Sequence, residues 1–310
     1  MNSITGSPRT TRSLLWLLIA LLLAATLVQL FVLNNATSQA YFWAKTRWGE
    51  QTAEQPSVLR RDYRATVQAL PVAGVSNNLS GLTFDPDRDH LWAVVNNPTQ
   101  LLALDRSGNV LQRVSLEGFN DTEAVAYLGD DMLVVVEERR QNLVVIAVPD
   151  RATDSIQRDG HPFLTLKLSA PDNNEYEGVS YDRENDRLFL VRERKPMRLY
   201  EIGGFRATLE GDLSLDIYEH RDLVRNKVFA TDLSSVHYHQ QTGNLLLLSD
   251  ESRMIIEFSP QGNVVAYRTL RPGFAGLQNL IPQAEGLAMD DAGSVFVVSE
   301  PNLFYRFDPQ

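Results

Sequence analysis

Cysteine is absent from the 310-residue chain. That excludes disulfides and thiolate metal sites, and leaves the compartment to be read from other signals. Histidine is scarce, with five residues. His237-x-His239 puts two of them on one strand face, with no third ligand in evidence, so an imidazole metal centre has little to build on. Positive charge is in deficit: 29 Lys and Arg stand against 39 Asp and Glu, a formal net charge of −10. Nucleic-acid binding needs clustered cations to displace counterions, so no nucleic-acid partner is expected. The chain also lacks a G-x-S-x-G elbow, a phosphate loop and a dinucleotide fingerprint.

What is present begins with an uncharged apolar run, residues 14–33. About 20 residues at 1.5 Å each cross the hydrocarbon core as a helix. A cleaved signal peptide has an apolar core of roughly 7–15 residues, so this run reads as a retained anchor, with Ser38-Gln39-Ala40 the site where cleavage would fall. Arg9 and Arg12 precede it, with no acid in residues 1–13. The positive-inside rule then gives a cytoplasmic N-terminus (1–13), a single-pass transmembrane helix (14–33) and an exported remainder, periplasmic if the membrane is a bacterial inner membrane. Residues 34–60 form a connector. Its Tyr41, Phe42, Trp43 and Trp48 suit either a headgroup belt or packing under the soluble domain.

From residue 61 to 310 the apolar runs are short, rich in Val, Leu and Phe, and separated by turn residues, the pattern of many short strands. Residues 121–138, DTEAVAYLGDDMLVVVEE, read as a hairpin with acids at both open ends, and variants of it recur. Small residues Gly81, Ala124, Gly178, Ser235 and Gly286 mark the openings, spaced 43, 54, 57 and 51 apart. Four antiparallel strands per repeat of about 40–50 residues make a propeller blade. The last repeat lacks a fourth strand, and an orphan strand at 63–70 can supply it, closing the ring and removing unpaired edges. The expected fold is an all-β five-bladed β-propeller; six blades is the alternative, if residues 203–230 hide a degenerate one.

In a hairpin the start of the first strand and the end of the second share one end. The opening residues and second-strand ends of every blade therefore meet on one face, around the channel. Before the small residues stand Ser80, Glu123, Glu177, Ser234 and Glu285. Two positions further back stand Asn78, Asp121, Glu175, Asp232 and Gln283. The second strands end in Asn97, Glu138, Glu193, Asp250 and Glu300. Uncompensated carboxylates this close repel and shift their pKa values upward, which a hard divalent cation relieves. Ca²⁺ takes six to eight oxygens at about 2.3–2.6 Å in flexible geometry, and fits this set better than Zn²⁺, which prefers His and Cys. Glu123, Glu177 and Glu285 rank first as ligands, because they hold one position in three repeats. The second-strand acids rank lower, since Arg139, Arg140, Arg192, Arg194 and Arg253 lie beside them.

The segments NLSGLTFDPDRDHLWAVVNN, DTEAVAYLGDDMLVVVEER and NEYEGVSYDRENDRLFLV, with the N-terminal apolar run, resemble the SdiA-regulated family, the YjiK/CarP-like β-propellers of bacteria. The resemblance spans roughly residues 60–310. It implies a five-bladed, calcium-binding propeller distantly similar to NHL-repeat proteins, and carries no biochemical activity with it. Likeness to phytase-type propellers is looser, because Ser80 and Ser234 interrupt the acid ring. The expected protein is thus a membrane-anchored Ca²⁺-binding module for an unidentified protein or small-molecule ligand. The alternative is a Ca²⁺-dependent hydrolase of phosphoesters or lactones, its arginines holding the anion and its metal activating water.

Overall fold

A computed structural model describes residues 8–33, 36–48, 56–168, 176–193, 196–212 and 214–310, with the side chains of residues 8–12, 14, 30–33 and 48 outside the described set. Two helices come first, α1 (Pro8–Leu33) and α2 (Ala36–Trp48). The run 14–33 lies within α1, whose Leu15, Trp16, Leu17 and Leu22 are exposed. Among the described residues, no helix is long and apolar enough to cross a membrane.

The rest is a ring of five antiparallel blades. A lone strand, β1 (Tyr63–Pro71), precedes them. Blade 1 is β2 (Leu79–Asp85), β3 (His90–Val95), β4 (Gln100–Leu104) and β5 (Val110–Glu117). Blade 2 is β6 (Thr122–Gly129), β7 (Met132–Glu137) and β8 (Asn142–Ala147); after β9 (Ser155–Gln157) it is completed by β10 (Phe163–Thr165). Blade 3 is β11 (Tyr176–Asp182), β12 (Arg187–Arg192), β13 (Arg198–Gly203) and, after the short helix α3 (Phe205–Leu209), β14 (Asp216–Glu219). Helix α4 (Arg221–Lys227) leads to blade 4: β15 (Ser235–His239), β16 (Asn244–Ser249), β17 (Met254–Phe258) and β18 (Val264–Thr269). Blade 5 is β19 (Ala284–Met289), β20 (Val295–Ser299) and β21 (Leu303–Pro309), and its outer strand is β1, with Tyr63 opposite Pro309 and Pro71 opposite Leu303.

The N-terminal strand therefore closes the ring as the strand count requires, and five blades is the number. Residues 203–230 hold α3, β14 and α4 rather than a sixth blade. β9 was not foreseen: it leaves blade 2 to pair in parallel with β5 of blade 1, with Ser115 opposite Ser155. Inner strands alternate their side chains between two faces, and each face packs on the next blade. One layer joins Ala124, Val136 and Leu143 to Tyr181, Leu188 and Leu190 across blades 2 and 3. Another joins Leu246 and Leu248 to Leu287 and Val297 across blades 4 and 5.

At the openings the blades approach backbone to backbone. A Cβ on Gly81 would fall 2.5 Å from the Ala124 Cα, and one on Gly178 would fall 2.7 Å from the Ser235 Cα. Any side chain there would push two blades apart, so the positions need glycine.

The connector is more structured than the sequence suggested. α2 lies along β18, with Phe42 fully buried 6.1 Å from the Tyr267 ring and Tyr41 4.9 Å from Phe229. Packing against the propeller thus accounts for Tyr41 and Phe42, while Trp43 is half exposed. Beyond α2, the buried Glu257 carboxylate gathers the chain. It accepts from Val58 N at 2.8 Å, Leu59 N at 3.0 Å, Ser57 Oγ at 2.5 Å and Asn244 Nδ2 at 2.7 Å.

Candidate metal centre

The three equivalent glutamates reach the channel by a shared backbone device. The pairing register slips between Thr122 and Ala124, between Tyr176 and Gly178, and between Ala284 and Gly286. Each slip is a β-bulge whose extra residue is Glu123, Glu177 or Glu285. A bulge frees one residue from the alternation of the strand and re-aims its side chain. Blade 1 slips in the same place, between Leu79 and Leu82. There Ser80 spans to blade 2, its Oγ lying 2.8 Å from both the Glu123 carbonyl and Glu123 Oε2. Ser234 bridges in the same sense, donating to the Ala284 carbonyl at 2.7 Å. The serines that interrupt the acid ring are blade-to-blade ties.

A second device sits two residues upstream. Asn78, Asp121 and Gln283 all adopt positive φ. Their carbonyls accept from Asn96 N at 3.0 Å, Glu138 N at 2.8 Å and Glu300 N at 3.0 Å. This pins each second-strand end against the opening of its own blade. It also corrects a register: Asn96, not Asn97, is the blade 1 equivalent of Glu138 and Glu300. Asn96 Nδ2 donates to Glu123 Oε1.

Ligand atoms of Asp121, Glu123 and Glu138 all lie within 4.8 Å of one another. Burial comes first in lifting Glu123, followed among the raising influences by the charges of Glu138, Asp121 and Glu300, and its carboxyl is pushed up to about 8 despite the Ser80 hydrogen bond. Glu177 is raised well above the usual range by burial and then by Glu123, Glu138, Glu285 and Glu193. Glu285 is raised likewise, by burial and then by Asp250, Glu300, Glu123 and Glu193. The acids thus feel one another across the mouth, and the tightest group is the blade 2 trio rather than the three equivalent glutamates.

The remaining candidates divide. Burial raises Glu300. Asp250 is also raised, yet it accepts from Ala284 N at 2.9 Å and pairs with Arg253 at 2.8 Å. Asp232 is buried and holds a turn: it takes hydrogen bonds from Ser249 Oγ, from Asp250 N at 3.1 Å and from Glu251 N at 3.2 Å. Its pKa rises to about 6, chiefly through burial. Glu193 enters as a charge acting on Glu177 and Glu285. Glu175 lies outside the described residues, as does Arg194. Of the arginines expected to hold an anion, Arg140 is bound to Glu137 at 2.8 Å and Arg192 is buried. Arg139 Nε sits 2.6 Å from Asp121 Oδ2, off the line of a hydrogen bond, so that this buried oxygen has no hydrogen-bond donor. His237 and His239 stay neutral through burial, His237 falling to about 3.

The trio fits a hard cation. Its donors are all carboxylate oxygens, and the neighbouring charges that add to burial in lifting Glu123 are what a divalent charge offsets. Fold and site together define a five-bladed β-propeller with a carboxylate-lined channel mouth. The chain belongs to the SdiA-regulated family, which it matches over residues 55–308. Among solved structures it is similar to a chain of the nidogen/laminin complex, at 7% identity and a TM-score of 0.47, covering 72% of this chain and 73% of that one. It is also similar to a structural-genomics protein of unknown function from Bacteroides thetaiotaomicron VPI-5482, at 11% identity and a TM-score of 0.46, covering 76% of this chain and 56% of that one.

Proposed function

We propose that the protein is a membrane-anchored propeller that binds Ca²⁺ at its channel mouth and serves as a ligand- or partner-binding module on the periplasmic side. The observation that carries the metal reading is the trio Asp121, Glu123 and Glu138, held within 4.8 Å by two backbone devices. Glu177 stands close enough to Glu123 to share its charge. Ca²⁺ is favoured over Mg²⁺ because the donors come from loops and bulges of varied geometry, and Mg²⁺ demands near-ideal octahedra. The anchor is supported by the twenty-residue uncharged run within α1 and by the basic residues that precede it. A hydrolase would need arginines free to hold an anion beside the cation; Arg140 is bound to Glu137, Arg139 pairs with Asp121 and Arg192 is buried.

Calorimetry of the full-length protein with Ca²⁺ tests the reading. Saturable binding is expected, lost in the Glu123→Gln/Glu138→Gln double variant with the fold intact by circular dichroism. Equal binding by the variant would remove the trio from the site. A phosphoester and lactone screen with and without Ca²⁺ is expected to show no turnover.

A further inference from the structure

The edge of the ring at blades 4 and 5 carries α2. α2 runs along β18, the outermost strand of blade 4. Its Ser38 and Phe42 face inward, and its Ala40, Trp43 and Arg47 form an outward stripe one helical face wide. Phe274 is 55% exposed on the loop beside it, against 50% for Trp43. Arg47, Lys45, Arg60 and Arg64 are exposed along the same edge. Between α2, the 59–63 segment and β18 lies a cleft of about 420 Å³, lined by Thr46, Arg60, Asp62, Tyr63, Arg268 and Phe274. Arg268 lies over the Tyr63 ring at 5.9 Å and donates to the Arg61 carbonyl, holding the 59–63 segment against β18. In a chain of net charge −10, this edge thus sets exposed cations beside exposed aromatic rings.

We infer that this edge is a second membrane contact, lying on the bilayer surface with phospholipid phosphates against Arg60 and Arg64 and with Trp43 and Phe274 at headgroup depth. The inference rests on the anchor reading above. If α1 spans the bilayer, Ala36 can lie no further than about 11 Å from Leu33, three Cα steps of 3.8 Å. α2 is then placed at the headgroups, and the edge docked on it follows. Amphipathic rings favour that level, and each cation near an anionic surface adds about 1 kcal/mol. The channel axis then runs along the membrane plane, leaving both channel mouths open to solvent.

The absence of cysteine makes the test direct. Single-cysteine variants Leu22→Cys, Trp43→Cys, Phe274→Cys and Leu111→Cys carry an environment-sensitive fluorophore in nanodiscs of anionic lipid bearing headgroup-proximal quenchers. Leu111 is 57% exposed on β5 of blade 1, beyond blade 5 and away from α2. Loss of emission at positions 43 and 274 but not at 111 is the expected result, and Arg60→Glu/Arg64→Glu should restore emission at 274 while leaving 22 unchanged. Emission at 274 equal to that at 111, with blue-shifted, hydrocarbon-like emission at position 22, overturns the inference and leaves the anchor standing. Water-like emission at position 22 overturns the anchor itself. No effect of the double arginine variant would remove the cations from any role at the headgroups.

Discussion

At the scale of the residue, Glu123 decides how the mouth behaves. Its carboxyl is pushed up to about 8, so at pH 7 the protonated form is favoured. A cation takes the ionised form, so Ca²⁺ binding at pH 7 should release about one proton. Calorimetry in HEPES and in Tris, which differ in ionisation enthalpy, measures that number. The same shift sets a stability trend. In the unfolded chain the carboxyl has its ordinary value of 4.5, and in the fold a value near 8, so the fold binds more protons between them. The contribution is therefore full below pH 4.5 and is lost as pH rises through 8. Without Ca²⁺, Tm should fall from pH 5 to pH 8, and Glu123→Gln should flatten that fall and raise Tm at pH 8. Glu137 and Glu138 show how much one residue of register matters. Neighbours in sequence, they part at the strand end: Glu138 joins the mouth, while Glu137 is fully buried with Arg140, Arg158, Asn142 and Asn120 N.

At the scale of the element, Glu257 and Phe42 dock the N-terminal segments. Glu257→Ala removes the acceptor of two backbone amides and the Ser57 hydroxyl, each orphan costing about 1–3 kcal/mol. A lower denaturant midpoint is expected, together with faster proteolysis near residue 57. Phe42→Ala should free α2 from blade 4, exposing it to limited proteolysis while the propeller transition persists, because the ring closes without it. These contacts also mark the limits of the sequence. Blade strands were legible because alternation and turn residues repeat. The bulge glutamates were legible because they recur beside a small residue. β9 was not, since three residues carry no period, and neither was the docking of α2, whose partners lie some two hundred residues away. Asn96 was masked by Asn97: two like residues in a row give no clue to which one faces the mouth.

At the scale of the whole molecule, closure is what makes the channel a site, because the acids meet only if the ring holds its radius. Removing residues up to 71 takes away β1 and bares the outer edge of β21. Such a chain should elute as aggregates and lack a cooperative transition, since a bare edge strand invites pairing between molecules. β1 leaves the ribosome before any blade, yet its partner β21 is made after every other strand. The seam cannot be sewn until β21 has been made. The earliest-made strand must wait unpaired, and the mouth carboxylates gather around a common axis only once the newest segment has come round to meet it.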